Sequence, residues 1–188
     1  MKRQVELSNA IAKLQARRIA VGGGQSNLPS KVSDTTMYVV HRVDGDSNIV
    51  ELTNDDTKKE VGVTNFDGNK LAKGRNFVMD SIKVELAKDG LVAKNVDWKS
   101  KAVALIAQLG NAELKLIQGD NPLFTFQVAD LVLSNDDDNY RPVGTTPVLG
   151  EETKIRWVLT YADGTSVPAE LVDGLFMKIS CRGFQSVQ

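Results

Sequence analysis

In the run NAELKLIQGD, Leu114 and Leu116 fall on one side and Glu113 and Lys115 on the other, the period of a strand with one dry face and one wet face. The same two-residue period returns along the chain between turns rich in Asp, Asn and Gly, and that combination restricts the chain to antiparallel β-structure. NFVMDSIKVELAK is the longest such run, with Val78, Ile82, Val84 and Leu86 expected on one face and Lys83 and Glu85 on the other. IRWVLTY turns Ile155, Trp157, Leu159 and Tyr161 inward, and LFMKISCRGF sets Leu175, Met177, Ile179 and Cys181 on a common face.

The turns order the remainder. TMYVVHRV, the turn Asp44-Gly45-Asp46, NIVELT, the turn Asn54-Asp55-Asp56 and KEVGVTNF predict a three-stranded meander closed by Asp67-Gly68-Asn69. KAVALIAQLG predicts a helix over residues 100–110, with Ala102, Leu105, Ile106 and Leu109 as its buried arc. NPLFTFQVADLVL, after a Gly-Asp-Asn-Pro turn, reads as a further short strand. SNDDDNYRPVGTTPVLGEE reads as a long exposed loop and PAELVDG as a brief helical or turn segment. The sum is an all-β, antiparallel β-sandwich of about eight strands with one short internal helix hung off it, not a βαβ unit. A chain of 188 residues can bury about 70% of its unfolded surface, enough for a core without staples.

The N-terminus differs in kind. Leu7, Ile11 and Leu14 share a helical face with Ala10 beside them, which predicts an amphipathic helix over about residues 4–20. Gly22-Gly23-Gly24 and QSNLPSK then break regular structure and form a hinge. The organisation is therefore an arm over 1–31 and a β-sandwich domain over 32–188. Up to Lys31 the arm has six cations, Lys2, Arg3, Lys13, Arg17, Arg18 and Lys31, against Glu6 alone; it carries +5, so the rest carries −6 of the overall −1. Such an arm can neutralise phosphates without reading sequence. A helix this short is marginal alone in water, so its apolar stripe needs a neighbouring subunit, its own domain or a membrane surface to dock on.

Catalytic and metal chemistry lack their residues. The single His41 lies within a strand, and one Cys and one His cannot build a tetrahedral zinc site. Cys181 reads as a buried, inert thiol. Gly22-Gly23-Gly24 follows no strand and lacks the Lys-Ser/Thr of a phosphate loop. Asp136, Asp137 and Asp138, and Asp44 with Asp46, offer hard oxygen ligands without the spacing of a calcium-hand loop. Asp80 and Asp130 are carboxylates that nothing in their spacing brings together for hydrolysis. No catalytic, cofactor or metal site is expected, and the chain does not read as an enzyme. Charge interrupts any leader-like apolar core in MKRQVELSNAIAKLQARR, and no run approaches the roughly 18 apolar residues that span a bilayer. Trp98 is the one aromatic left as an exposed platform for a sugar, which keeps a glycan- or cell-surface-binding sandwich module, such as a phage fibre or adhesin domain, as the alternative reading.

A basic N-terminal arm, a Gly-rich hinge, about eight short strands and a helix before NAELKLIQGDNPLFTFQVADLV together resemble the single jelly-roll capsid proteins of small icosahedral viruses, in particular of tailless bacteriophages. The resemblance implies a jelly roll of two four-stranded sheets and self-assembly into a homo-oligomeric shell, with other capsid proteins as further partners. It also implies a location in the virion after synthesis in the host cytoplasm. Leu7, Ile11 and Leu14 would then make inter-subunit contacts. Lys2, Arg3, Lys13, Arg17 and Arg18 would touch genomic nucleic acid non-specifically. The arm is less basic than those of many RNA-virus shells, so the resemblance supports assembly more than genome contact.

Overall fold

The computed structural model describes residues 2–20, 31–65, 67–88, 92–98, 105–133, 140–168 and 174–187. Helix α1 (Lys2–Ala20) precedes β1 (Lys31–Arg42), β2 (Ile49–Glu51) and β3 (Arg75–Lys88). A 3-10 turn at Ala93–Asn95 and the single-turn α2 (Ala107–Gly110) lead to β4 (Glu113–Gln118), β5 (Asn121–Gln127) and α3 (Val128–Val132). Then come β6 (Arg141–Pro142), β7 (Val148–Leu149), β8 (Ile155–Thr160) and β9 (Leu175–Val187). The strands make two antiparallel sheets, one in the order β1-β9-β3-β6 with β7 also on β3, the other in the order β2-β8-β4-β5.

One apolar core lies between them. β8 buries Ile155, Trp157 and Leu159 at alternate positions, and its register sets Trp157 beside Leu116 and Leu159 beside Leu114. From the facing sheet come the paired rows Ile82 with Cys181, Val84 with Ile179 and Leu86 with Met177. Phe124 meets the Trp157 ring edge-on at 5.8 Å between centroids, which closes the core under β5. Tyr161 is buried with them, and its hydroxyl donates to the Val43 carbonyl at 2.8 Å. That bond meets the polar cost of burying a phenol.

Val78 departs from its expected face. β3 carries an extra residue between Met79 and Ser81, and a bulge of one residue reverses the inward and outward positions. Phe77 and Met79 therefore share the core with Ile82, Val84 and Leu86, while Val78 faces away from it. The second sheet face of β9 is buried too: Phe176 packs with Val96 near one end and Phe184 with Val78 near the other.

Other expectations are corrected. The meander does not form, because β1 pairs with β9 while β2 pairs with β8 in the other sheet. Of KEVGVTNF, residues 59–65 make a tight turn with isolated bridges and Phe66 lies outside the described residues; Val63 and Thr64 both donate to the Glu60 carbonyl at 2.9 Å, and no alternation can run through such a turn. Asn65 substitutes for a strand there, its side chain accepting from Tyr38 N at 3.0 Å and donating to Thr36 O at 2.6 Å. The helix expected over 100–110 is seen only as α2; residues 99–104 lie outside the described residues. VADLV is the helix α3 instead of strand. The loop expected over 134–152 contains β6 and β7, both paired to β3, with Val143 N donating to Asp80 O at 2.8 Å and Met79 N to Pro147 O at 3.0 Å. Asp136, Asp137 and Asp138, and most of PAELVDG, lie outside the described residues.

Candidate functional site

Two surfaces gather the side chains with chemistry, both on the outer face of the β1-β9-β3 sheet. At one end lies α1. Ala10 and Leu14 are buried there against Val78 and Phe184, with Leu7, Val32 and Val148 around them, and Ile11 is half-buried. Of the three docking surfaces open to the helix, its own sheet is the one used.

The cations of α1 meet partners on the same domain. Arg3 forks onto Asp34, Nε to Oδ2 at 3.0 Å and Nη2 to Oδ1 at 2.6 Å, while its Nη1 donates to Glu6 at 3.2 Å and to Asp80. Its guanidinium also covers the Phe184 ring, 4.4 Å from the centroid. Hydrogen bonding to Asp34 above all holds Arg3 above its ordinary pKa. Lys13 donates to the carbonyls of Thr145 at 2.8 Å and Thr146 at 3.0 Å, and to the Thr146 hydroxyl. The Arg17 guanidinium lies against Gly150, where an added Cβ would collide with it. The backbone of Gly150 is itself fixed by the Gln118 carboxamide, which donates to its carbonyl at 3.0 Å and accepts from its N–H at 3.1 Å. The side chains of Lys2 and Arg18 lie outside the described ones.

Further along the same sheet face is a cleft of about 410 Å³ bordered by Tyr38, Trp98, Tyr140, Lys94, Lys178 and Ser180. Strand register builds its floor: Tyr38 on β1, Ser180 on β9 and Lys83 on β3 form one cross-strand row. Lys178 Nζ stands 5.4 Å from the Trp98 ring centroid, and the Arg182 guanidinium 3.8 Å from that of Tyr140. Trp98 is half-buried against the cluster of Val40, Ala87, Val96 and Phe176, so it forms a wall of the cleft and not a free platform. Sequence reasoning singled out Trp98 alone. Tyr38 and Lys178 carried a detectable signal, since each stands at an even position of a strand whose odd positions are core.

The remaining candidates stay apart. His41 contacts the Arg42 carbonyl at 2.6 Å through Nδ1. The Asp44 carboxylate, without exposed surface, is held by Arg42 at 2.8 and 2.6 Å. Asp80 binds Arg3, and Asp130 is exposed in the first turn of α3. Cys181 is buried, and burial pushes its thiol pKa up. Among the described residues no group of three or more His, Cys, Asp or Glu side chains is placed to hold a metal ion, and no helix is long and apolar enough to cross a membrane. No protein-family model, curated protein or solved structure matches the chain.

Proposed function

We propose that the chain is a jelly-roll subunit that assembles with copies of itself into a closed shell, the capsid of a virus. The observation that carries this reading is the order of strand pairing. β1 pairs with β9, β2 with β8, β3 with β6 and β4 with β5, as if one long hairpin had been bent at the β4–β5 turn. Rolling that hairpin adds the pairs β3 with β9 and β4 with β8. Nested pairing of this kind supports the double Greek key of jelly rolls, an architecture used by virus shells and by lectins.

The helix favours the shell. Its inner face is docked, yet Val5, Ala12, Ala16 and Ile19 fall on one outward stripe without a charge among them, and Val5 and Ile19 are 57% and 59% exposed. Such a stripe suits contact with a neighbouring copy. The same Leu7, Ile11 and Leu14 contact made on a neighbour's sheet, across the Gly-rich segment 21–30, would be a domain swap, which joins subunits at low cost. Genome contact by the arm is secondary in this reading, since Arg3 and Lys13 would first have to leave their partners. The glycan-binding alternative lacks support beside Trp98, where no carboxylate or carboxamide among the described residues lines the cleft to accept from sugar hydroxyls.

The test is light scattering on the full chain beside the double variant V5E/I19E. Large regular oligomers from the native chain and smaller species from the variant support the proposal; identical monomers from both sink it.

A further inference from the structure

The chain has three tyrosines and two tryptophans. Trp157 and Tyr161 are buried in the core; the other three, Tyr38, Trp98 and Tyr140, all line the cleft on the outer sheet face. Core packing does not require this convergence, because β1, the segment after the 3-10 turn and the residue before β6 reach the cleft separately. Among the described residues Lys94 and Lys178 line it, and Lys83 and Arg182 stand against the Tyr140 ring at its border. Glu85 lies 3.0 Å from Lys83 and 3.7 Å from Lys178, and Glu60 lies 3.1 Å from Lys94. Neither carboxylate lines the cleft, nor does any other carboxylate or carboxamide among the described residues.

That donor set selects a ligand class. A neutral sugar is held by aromatic faces together with carboxylate or amide acceptors for its hydroxyls, and no such acceptor is among the described residues of the wall. Ammonium groups, hydroxyls and ring faces suit a planar ligand that carries an anion. Tyr38 reinforces this, since its hydroxyl accepts from Gly62 N at 3.2 Å and keeps its proton to donate. The volume, about 410 Å³, lies in the range of small-ligand sites.

We propose that this cleft binds a nucleotide, the base stacked on the ring wall of Trp98 and Tyr140 and the phosphate held by Lys178 and Lys94. The site does not depend on the shell reading. The nucleotide is either free or one unit of a single strand, and stacking with backbone neutralisation serves both.

The experiment is titration of the full-length chain with AMP and, separately, with oligodeoxyadenylate, followed by tryptophan emission and repeated with K178Q, K94Q and W98F. Adenosine and inorganic phosphate serve as half-ligand controls. Emission from Trp98 should be quenched on binding, and the quench should be absent in W98F. Loss of one charge-assisted contact in K178Q or K94Q should weaken binding about tenfold or more. AMP binding as tightly as the oligonucleotide per site supports a free nucleotide; a gain of about tenfold or more for the oligonucleotide supports a single strand. Two lysine variants keep the test open if one fails to fold. No saturable binding of either probe, binding unchanged in all folded variants, or displacement by an acidic polysaccharide but not by AMP overturns the proposal.

Discussion

Gly183 in β9 lies so close to the Val78 carbonyl in β3 that a Cβ would collide with it, and would stand 2.7 Å from Phe77 Cζ as well. The contact falls beside the bulge between Met79 and Ser81, where β3 changes which residues it turns inward. The bulge aims Val78 at α1, and Gly183, the register partner of Met79, leaves room for the Val78 carbonyl. Gly183→Ala should therefore cost about 1–3 kcal/mol, because the obstacle is backbone and cannot rotate away. Gly144, where a Cβ would meet no heavy atom within 4 Å, is the control, and its change to Ala should stay within about 0.5 kcal/mol. Urea unfolding of the two variants measures the difference.

Leu14 is 1% exposed in the small cluster that holds α1 to the sheet. Leu14→Ala should cost about 2 kcal/mol or more, most of it as undocking of the helix. Hydrogen exchange should show faster exchange over Lys2–Ala20 with β8 unchanged; equal loss in both would mean that helix and sandwich unfold as one.

Arg3 joins the helix to Asp34 and Asp80 while it is 41% exposed, so solvent and salt screen part of the attraction. Arg3→Ala should weaken helix protection by about 1 kcal/mol, less at high salt. Arg3→Lys should not restore it, since an ammonium cannot reproduce the fork onto Asp34. Hydrogen exchange of α1 at low and high salt separates these outcomes.

Tyr161→Phe removes the donor to the Val43 carbonyl inside the core. An orphaned buried acceptor costs about 1–3 kcal/mol, to be read from the denaturation midpoint at unchanged slope.

Burial pushes the Cys181 thiol above its ordinary value, with Asp80 adding to the effect. The folded chain thus keeps its proton where the unfolded thiol, near a pKa of about 8.5, loses it. The sign follows: the contribution is present below that pH and is lost above it, by up to about 1.4 kcal/mol per pH unit. Cys181→Ala should flatten this part of the alkaline decline, and a thiol reagent should label the native chain only as fast as it unfolds.

The inward rows of β8 and β9 were legible because strict alternation fixes a face without knowledge of the partner strand. Val78 was not, since one unpaired residue reverses the parity and Asp80 and Ser81 look like any polar pair in a strand. Nor were the partners of Arg3, because Asp34 and Asp80 are brought to it only by the pairing of distant strands. The cleft was hidden for the same reason. Tyr38 and Ser180 become neighbours through the register of β1 with β9, which no local pattern records. Asn65 imitates a strand with its side chain, and backbone propensity is silent about that.

Negative-stain electron microscopy of the full-length chain, concentrated and taken from low to high salt, tests the shell reading most directly. Closed particles of uniform diameter are the predicted result. Monomers at every concentration and salt would contradict it.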